Sequence, residues 1–412
     1  MNILFAWELG ANFGHLARQL PVARELTARG HQVTFAVRDT RLAARFLTPK
    51  GYRFIQAPLL LTKPRLRMPT ASYSEILLAE GFHETAALAG RVQAWLNLFE
   101  IAQPDAILID HAPTALIAAR IAGLPRVMFG NGFEIPPAQS PYPSFRTWEN
   151  IRDSRLIKSE RLALATINAV CRAHRRAPLH AVHEIFYGAT QALITLPELD
   201  HYGARAADYL GPIHAQLGGA SVAWPAGGGK RILAYLRPNV PGFHAMVDVL
   251  KTHATPTILI APNAPQAWVE QQASPSFSIQ NGPIQIAPLL KNCSLGISYG
   301  GSGTLSQFVL AGVPQLVLPK NVEQYMGAVR VAQLGAAIVL EQARNAEDLA
   351  PALDQILNEA RFQHASRAFA KRYARGSPEQ AVAGVVRMVE KSRLESVVAR
   401  SMDVAANPVV AH

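Results

Sequence analysis

The sequence predicts an α/β protein of two doubly wound, parallel-sheet domains. Three observations carry this. The chain has 412 residues, roughly 2.7 times a usual domain length of ~150. Short apolar runs alternate with amphipathic segments, the pattern of strands covered on both faces by helices. The alternation breaks once, in a glycine-rich stretch at 218–229, and then restarts.

The elements follow in order. Asn2 to Trp7 reads as the first strand. Leu16, Leu20, Ala23 and Leu26 recur at helical spacing within Leu16 to Arg29, and Gly30 closes that helix. Gln32 to Val37 is the second strand. Ala106 to Asp110, Thr114 to Ala122 and Arg126 to Gly130 repeat strand, helix, strand. Beyond the break, Arg231 to Leu236 is a strand, Phe243 to Thr252 a helix and Pro256 to Ala261 a strand. Leu295 to Tyr299 is a strand, followed by a helix from about Gly303 to Leu310 and a strand at Gln315 to Leu318. The expected division is 1–217 and 230–385, with 218–229 as linker and 386–412 as a C-terminal helix or frayed tail.

Composition narrows the function. Apolar residues make up 49% and charged residues 17%, which excludes a largely disordered chain. No run approaches the ~20 apolar residues of a membrane span. The N-terminus lacks the features of a signal peptide, so the expected location is cytoplasmic. Cys171 and Cys293 are too few for a disulfide framework or a cysteine-rich metal site. Forty basic against 29 acidic residues give +11, favouring anionic partners. The basic residues from Arg152 to Arg176 are spread around a helix rather than clustered with aromatics, so nucleic acid is not the expected partner; a small phosphorylated ligand is.

Ligands of open parallel sheets bind beyond the carboxyl ends of the strands, which selects three places. After the first strand, Glu8 to His15 contains Gly10 and Gly14, and His15 opens the next helix. A histidine there suits a general base, and equally a helix-start or surface role. Asp110 ends a buried run, placed either to orient an imidazole or to cap the helix near Thr114; His111 is a weaker candidate base. The third place is Tyr299-Gly300-Gly301-Ser302-Gly303-Thr304, between a strand and a helix. Its glycines admit a close backbone approach, and the amides of a helix start favour an anion. It has neither the Walker A nor the G-x-G-x-x-G spacing; a pyrophosphate site is the reading. Downstream, Glu323-Gln324 suits sugar hydroxyls or a solvated helix start.

Together these segments resemble the family-one nucleotide-sugar glycosyltransferases of the GT-B fold, two Rossmann-like domains facing a cleft. The resemblance rests on the opening G-x-x-x-G-H-L, on Arg29-Gly30-His31, on Asp110, and on the stretch from Pro288 through Gly335 with its Gly-Val-Pro and Glu-Gln pair. It implies an inverting, metal-independent enzyme with no cofactor beyond a UDP- or TDP-sugar co-substrate. His15 would deprotonate the acceptor with Asp110 as orienter. Pro288, Tyr299, Gly300, Gly301, Ser302, Gly303, Thr304, Glu323 and Gln324 would hold the donor. The chain departs from the family at Tyr299, where a histidine usually contacts the diphosphate, and Arg237 is the expected substitute charge. Its base-binding stretch before Leu289 is also short.

The acceptor would lie against the N-terminal domain, at Asn12, Phe13, Met68, Tyr73, Phe82, Phe133, Tyr142 and Phe145. Aromatics with kinked backbone suit a small aromatic or lipophilic acceptor, and each serves equally as plain core. The alternatives are a peripheral-membrane transferase with a lipid-linked acceptor, a GT-B sugar-nucleotide epimerase, and a non-catalytic nucleotide-sugar binder. The expected assembly is a monomer or homodimer.

Overall fold

The computed structural model describes residues 1–10, 13–62, 64, 68–214, 219–341 and 345–406, with side chains described as far as residue 394. The chain divides into two units. One comprises Met1–Thr195, Ala206–Ile213 and Pro378–His412; the other comprises Leu196–Arg205 and His214–Ser377.

The first unit is a parallel sheet of β1 (Asn2–Trp7), β2 (Gln32–Val37), β3 (Arg53–Gln56), β4 (Ala106–Asp110), β5 (Arg126–Gly130) and β6 (Thr190–Leu193), in the order β3-β2-β1-β4-β5-β6. Successive side chains of a strand point to opposite faces, and the core divides accordingly. Leu4, Ala6, Ile107 and Ile109 pack with Trp95 and Leu116 on one face. Ile3, Phe5, Trp7 and Leu108 pack with Leu16 and Leu26 on the other. That second face is also covered by the C-terminal helix Pro378–Ala406, whose Ala381, Val385, Val386 and Val389 are buried in it.

The second unit repeats the plan with β7 (Ile232–Tyr235), β8 (Thr257–Ile260), β9 (Phe277–Gln280), β10 (Leu295–Ser298), β11 (Gln315–Val317) and β12 (Ala337–Val339), ordered β12-β11-β10-β7-β8-β9. Read from its other edge, this is the order of the first sheet. Each sheet therefore reverses its winding between its first and fourth strands, where doubly wound sheets open a crevice for ligand. Among the described residues, no helix is long and apolar enough to cross a membrane.

The expected boundaries need three corrections. Residues 219–229 are no free linker: Ala220 bridges to Ile284, and Val222 and Trp224 pack on the core around Leu233 and Phe308. Residues 378–385, expected in the second domain, belong with the first, because the valines of their helix complete its core. Residues 196–205 leave the first stretch and join the second unit, where Leu196 and Leu199 are buried. The end of the expected first domain, Leu217, and the first linker residue, Gly218, lie outside the described residues.

Candidate active site

In the first unit β1 and β4 are hydrogen-bonded neighbours, and Trp7 pairs directly with Asp110. The turn after β1 and the end of β4 thus meet at the winding reversal. Gly10 makes the turn with φ +80°. Helix Gly14–Ala28 then starts, placing His15 in its first turn and Arg18 and Gln19 three and four residues on, along the same face. His15 stacks on Trp7, ring centroids 5.1 Å apart at 20°.

These side chains converge on Asp110, which is wholly buried. His15 Nδ1 lies 2.9 Å from its Oδ1. Gln19 Nε2 donates to Oδ2 at 2.8 Å and Arg18 Nε to Oδ2 at 3.1 Å. Arg18 Nη2 donates to Oδ1 and, at 2.8 Å, to Glu134 Oε1. Nη2 also stands 3.0 Å from His15 Nδ1, but both of its protons are engaged by the two carboxylates. Nδ1 is therefore the donor to Asp110, which leaves Nε2 with the free lone pair a base requires.

The electrostatics keep this cluster ionised. Burial alone would raise the Asp110 carboxyl, yet the Arg18 charge beside it, with His15, holds it well below the usual carboxylate range. Glu134 follows the same logic and is lowered to about 2. Burial holds His111 neutral, its pKa lowered to about 4. His15, Asp110 and Glu134 offer ligand atoms within 4.8 Å of one another. The Arg18 guanidinium already bridges the two carboxylates, and its charge opposes a metal ion there.

Beside the cluster lies an aromatic group. His111, in a left-handed conformation at φ 48°, faces Tyr73 and Phe133, each 6.1 Å away between centroids. Tyr73 meets Tyr142 edge-on at 5.5 Å, and Phe133 meets Phe145 at 6.0 Å. Four of the expected acceptor residues are thus packed together around His111, all four buried and two of them, Tyr73 and Tyr142, part of the unit's core; His111 Nε2 is buried without a hydrogen-bond partner among the described residues. Three others are placed elsewhere. Phe82 is wholly buried in that core with Arg91 over its ring, Phe13 meets Phe46 at 4.0 Å and a tilt of 42°, and Met68 is exposed. Asn12 lies outside the described residues.

In the second unit β7 and β10 are the neighbours at the reversal, with Tyr235 paired to Ser298. Arg237 and Tyr299 therefore leave adjacent strands. The Tyr299 hydroxyl donates to the main-chain carbonyl of Arg237 at 3.2 Å, and burial pushes its pKa up to about 12. Its proton is thus directed at the protein. Lys320 Nζ lies 5.4 Å from the Tyr299 ring centroid. Gly300 has φ +86°, and a Cβ there would stand 2.9 Å from Val317 Cγ1. Gly301 caps helix Ser302–Leu310 with no side chain, and Cβ atoms at Gly301 and Gly303 would meet open space. A bare helix N-terminus is thus presented, with Thr304 half-buried in its first turn.

The Ser302 hydroxyl donates to Glu323 Oε1 at 2.8 Å, and buried His201 Nε2 lies 3.6 Å from the same oxygen. Gln324 Oε1 accepts from the Lys320 amide at 2.9 Å, closing the first turn of helix Val322–Gln333. Pro288 is exposed at the start of the short helix Ala287–Leu290.

Sequence reading missed Arg18, Gln19, Glu134, His201 and Lys320. The first two carried a signal, since spacings of three and four from His15 share a helix face. Glu134 and His201 sit in segments without periodicity, and only the fold brings them to the site.

Comparison with known proteins sets this geometry in context. Residues 278–388 match the family described as erythromycin biosynthesis protein CIII-like, C-terminal domain. The chain is 26% identical to a PGL/p-HBAD biosynthesis glycosyltransferase of Mycobacterium tuberculosis, with 90% of this chain and 88% of that protein covered. Among solved structures it is similar to the spinosyn rhamnosyltransferase SpnG complexed with spinosyn aglycone, at TM-score 0.64 and 21% identity over 94% of this chain and all of that one. It is equally similar to the glycosyltransferase VinC in complex with dTDP, at TM-score 0.64 and 21% identity over 95% of this chain and all of that one.

Proposed function

We infer that this chain, a glycosyltransferase of the GT-B fold and of the family-one, bacterial natural-product type, moves a hexose from a TDP- or UDP-sugar to a hydroxyl or nitrogen of a small lipophilic acceptor, with inversion. The observation that carries the reading is the engagement of both Arg18 Nη2 protons by carboxylates, which makes His15 Nδ1 a donor to Asp110 and leaves Nε2 as the base.

The proposed reaction is one displacement. His15 Nε2 takes the acceptor proton as the acceptor atom attacks the anomeric carbon. The bond from that carbon to the diphosphate oxygen breaks, and its electron pair leaves on the nucleoside diphosphate. Asp110 keeps the imidazole in its tautomer, and proton transfer to a base so positioned contributes typically ~10²–10⁴-fold. The helix start at Ser302 receives the negative diphosphate, assisted by the helix dipole and by the side chains of Arg237 and Lys320. Glu323 and Gln324 are the proposed sugar contacts, with Ser302 exchanging its bond to Glu323 for one to phosphate. The VinC complex with dTDP supports TDP as the nucleotide, and the SpnG complex with aglycone supports a small-molecule acceptor.

The test is product formation by mass spectrometry from TDP- and UDP-hexoses with a panel of phenolic and polyketide acceptors, the anomeric configuration being assigned by NMR. A β-linked product from an α-linked donor, lost in His15→Ala while TDP still binds, is the expected outcome. A retained configuration, or turnover that survives His15→Ala, overturns the mechanism.

A further inference from the structure

We propose that Glu134 is the counter-charge of the base: through Arg18 it sets how readily His15 accepts the acceptor's proton. This rests on the reading of His15 as the base and deepens it.

The argument begins with a charge count. Asp110 carries −1, but Arg18 binds both of its oxygens and carries +1. The usual histidine–carboxylate pair is therefore neutralised, and by itself Asp110 offers the developing imidazolium little net attraction. Glu134 changes the sum. Its Oε1 takes the second Arg18 Nη2 proton at 2.8 Å, and its Oε2 accepts from the Asn131 amide at 2.9 Å. With Glu134 the cluster carries −1 before the proton moves and zero afterwards. All three groups are buried or nearly so, at side-chain exposures of 0% for Asp110, 5% for Glu134 and 10% for Arg18. At that depth solvent screens little, so the count matters.

The surroundings leave few other charges. Trp7 stacks on His15, and the Phe129 ring lies 5.8 Å from the Arg18 guanidinium carbon. Gln19 is neutral. His111, the other titratable group facing the cluster, is held neutral by burial. The backbone also makes room for the carboxylate, because a Cβ at Gly130 would stand 3.0 Å from Glu134 Oε2. Glu134 is thus a positioning residue, its carboxylate taken up by Arg18 and the Asn131 amide, and it acts through Arg18.

The experiment compares Glu134→Gln, Glu134→Asp and the double variant Arg18→Met/Glu134→Gln. Two readouts are used: the NMR titration of the His15 imidazole in the substrate-free protein, and the pH profile of kcat/KM. Glu134→Gln leaves the cluster without net charge before protonation. The imidazole midpoint and the acidic limb should both move to lower pH by about one unit, and the plateau rate should fall about 3- to 10-fold. Glu134→Asp keeps the charge and should keep the midpoint. The double variant removes one charge of each sign, restores −1 and should return the midpoint toward the wild type.

A merely structural Glu134 would slow all variants without moving the midpoint, and that result overturns the proposal, as does a double variant that fails to recover. The NMR arm needs no substrate. If no sugar nucleotide is turned over, the transferase reading falls while the titrations still decide the role of Glu134.

Discussion

Gly10→Ala is the sharpest single perturbation of the proposed base. A Cβ at residue 10 would stand 2.2 Å from His15 Nε2 and 3.0 Å from Cε1. Contact between such atoms begins near 3.5 Å, so the imidazole must withdraw by roughly 1.3 Å. The ring cannot slide freely, because Trp7 lies on one face and Asp110 holds Nδ1. Misplacement of a catalytic group by about 1 Å costs about 10²-fold, and that is the expected fall in kcat/KM. The backbone adds a second term. At φ +80° an alanine costs about 1–2 kcal/mol, a fall in melting temperature of about 2–8 °C for a unit of this size.

The assay is release of nucleoside diphosphate at saturating donor, with calorimetric TDP binding as a control on the second unit. Gly14→Ala is the matched comparison: it lies four residues on, has no positive φ, and its Cβ would meet nothing within 4 Å. It should be tolerated. If Gly10→Ala retains activity within about threefold of Gly14→Ala, the placement of His15 Nε2 against the turn is not what supports the reaction.

Three further outcomes are expected. Burial raises the Glu8 carboxyl to about 7 even though the Thr114 and Ala115 amides, the Trp95 indole and Arg91 favour its charge. Its contribution to stability is full below the unfolded value near 4.5 and is lost as pH rises through 7. Thermal unfolding of Glu8→Gln should therefore show a flatter slope between pH 5 and 7, at a lower absolute stability because one acceptor oxygen becomes an N–H facing donors; an unaltered slope refutes the assignment. Tyr299→Phe should change TDP affinity by no more than about twofold, since the hydroxyl is turned to Arg237, whereas Lys320→Ala should weaken it about tenfold through a lost charge contact of ~1.4 kcal/mol. The reverse ranking in calorimetry would place the phenol on the diphosphate. Gly300→Ala should abolish measurable TDP binding, because its Cβ meets Val317 and the backbone at φ +86° resists a side chain; binding at the wild-type level refutes the role of that loop.

The inner strands were legible in the sequence and the edge strands were not. β1, β2, β4 and β5, and likewise β7, β8, β10 and β11, are apolar runs, because an inner strand is covered on both faces. The four that escaped, β3, β6, β9 and β12, are the edges of their sheets. Arg53 to Gln56 shows why: three of its four residues are exposed, and so short a half-wet segment carries no apolar signature. At the site, His15 and Asp110 could be read because each ends or follows an inner strand. Glu134 could not, since the loop after β5 has no period. Tyr299 stood out in the sequence, but the direction of its hydroxyl depends on Arg237, a residue 62 positions earlier in the chain.

The discontinuous first unit has a consequence during synthesis. A chain emerging from the ribosome completes β1 to β6 early, yet Ala381, Val385, Val386 and Val389 emerge only after the whole of the second unit. Until then the apolar face of the first sheet that includes Phe5 and Leu108 lacks part of its cover and is a surface for chaperones or for misassembly. The nascent second unit has no such debt, because Leu196–Arg205 and His214–Ser377 precede the closing helix. A fragment cut after residue 217 would therefore carry His15 and Asp110 on an incompletely covered core. A stall late in translation would impair the half that carries His15 and Asp110 before the half that carries the Gly300–Thr304 loop.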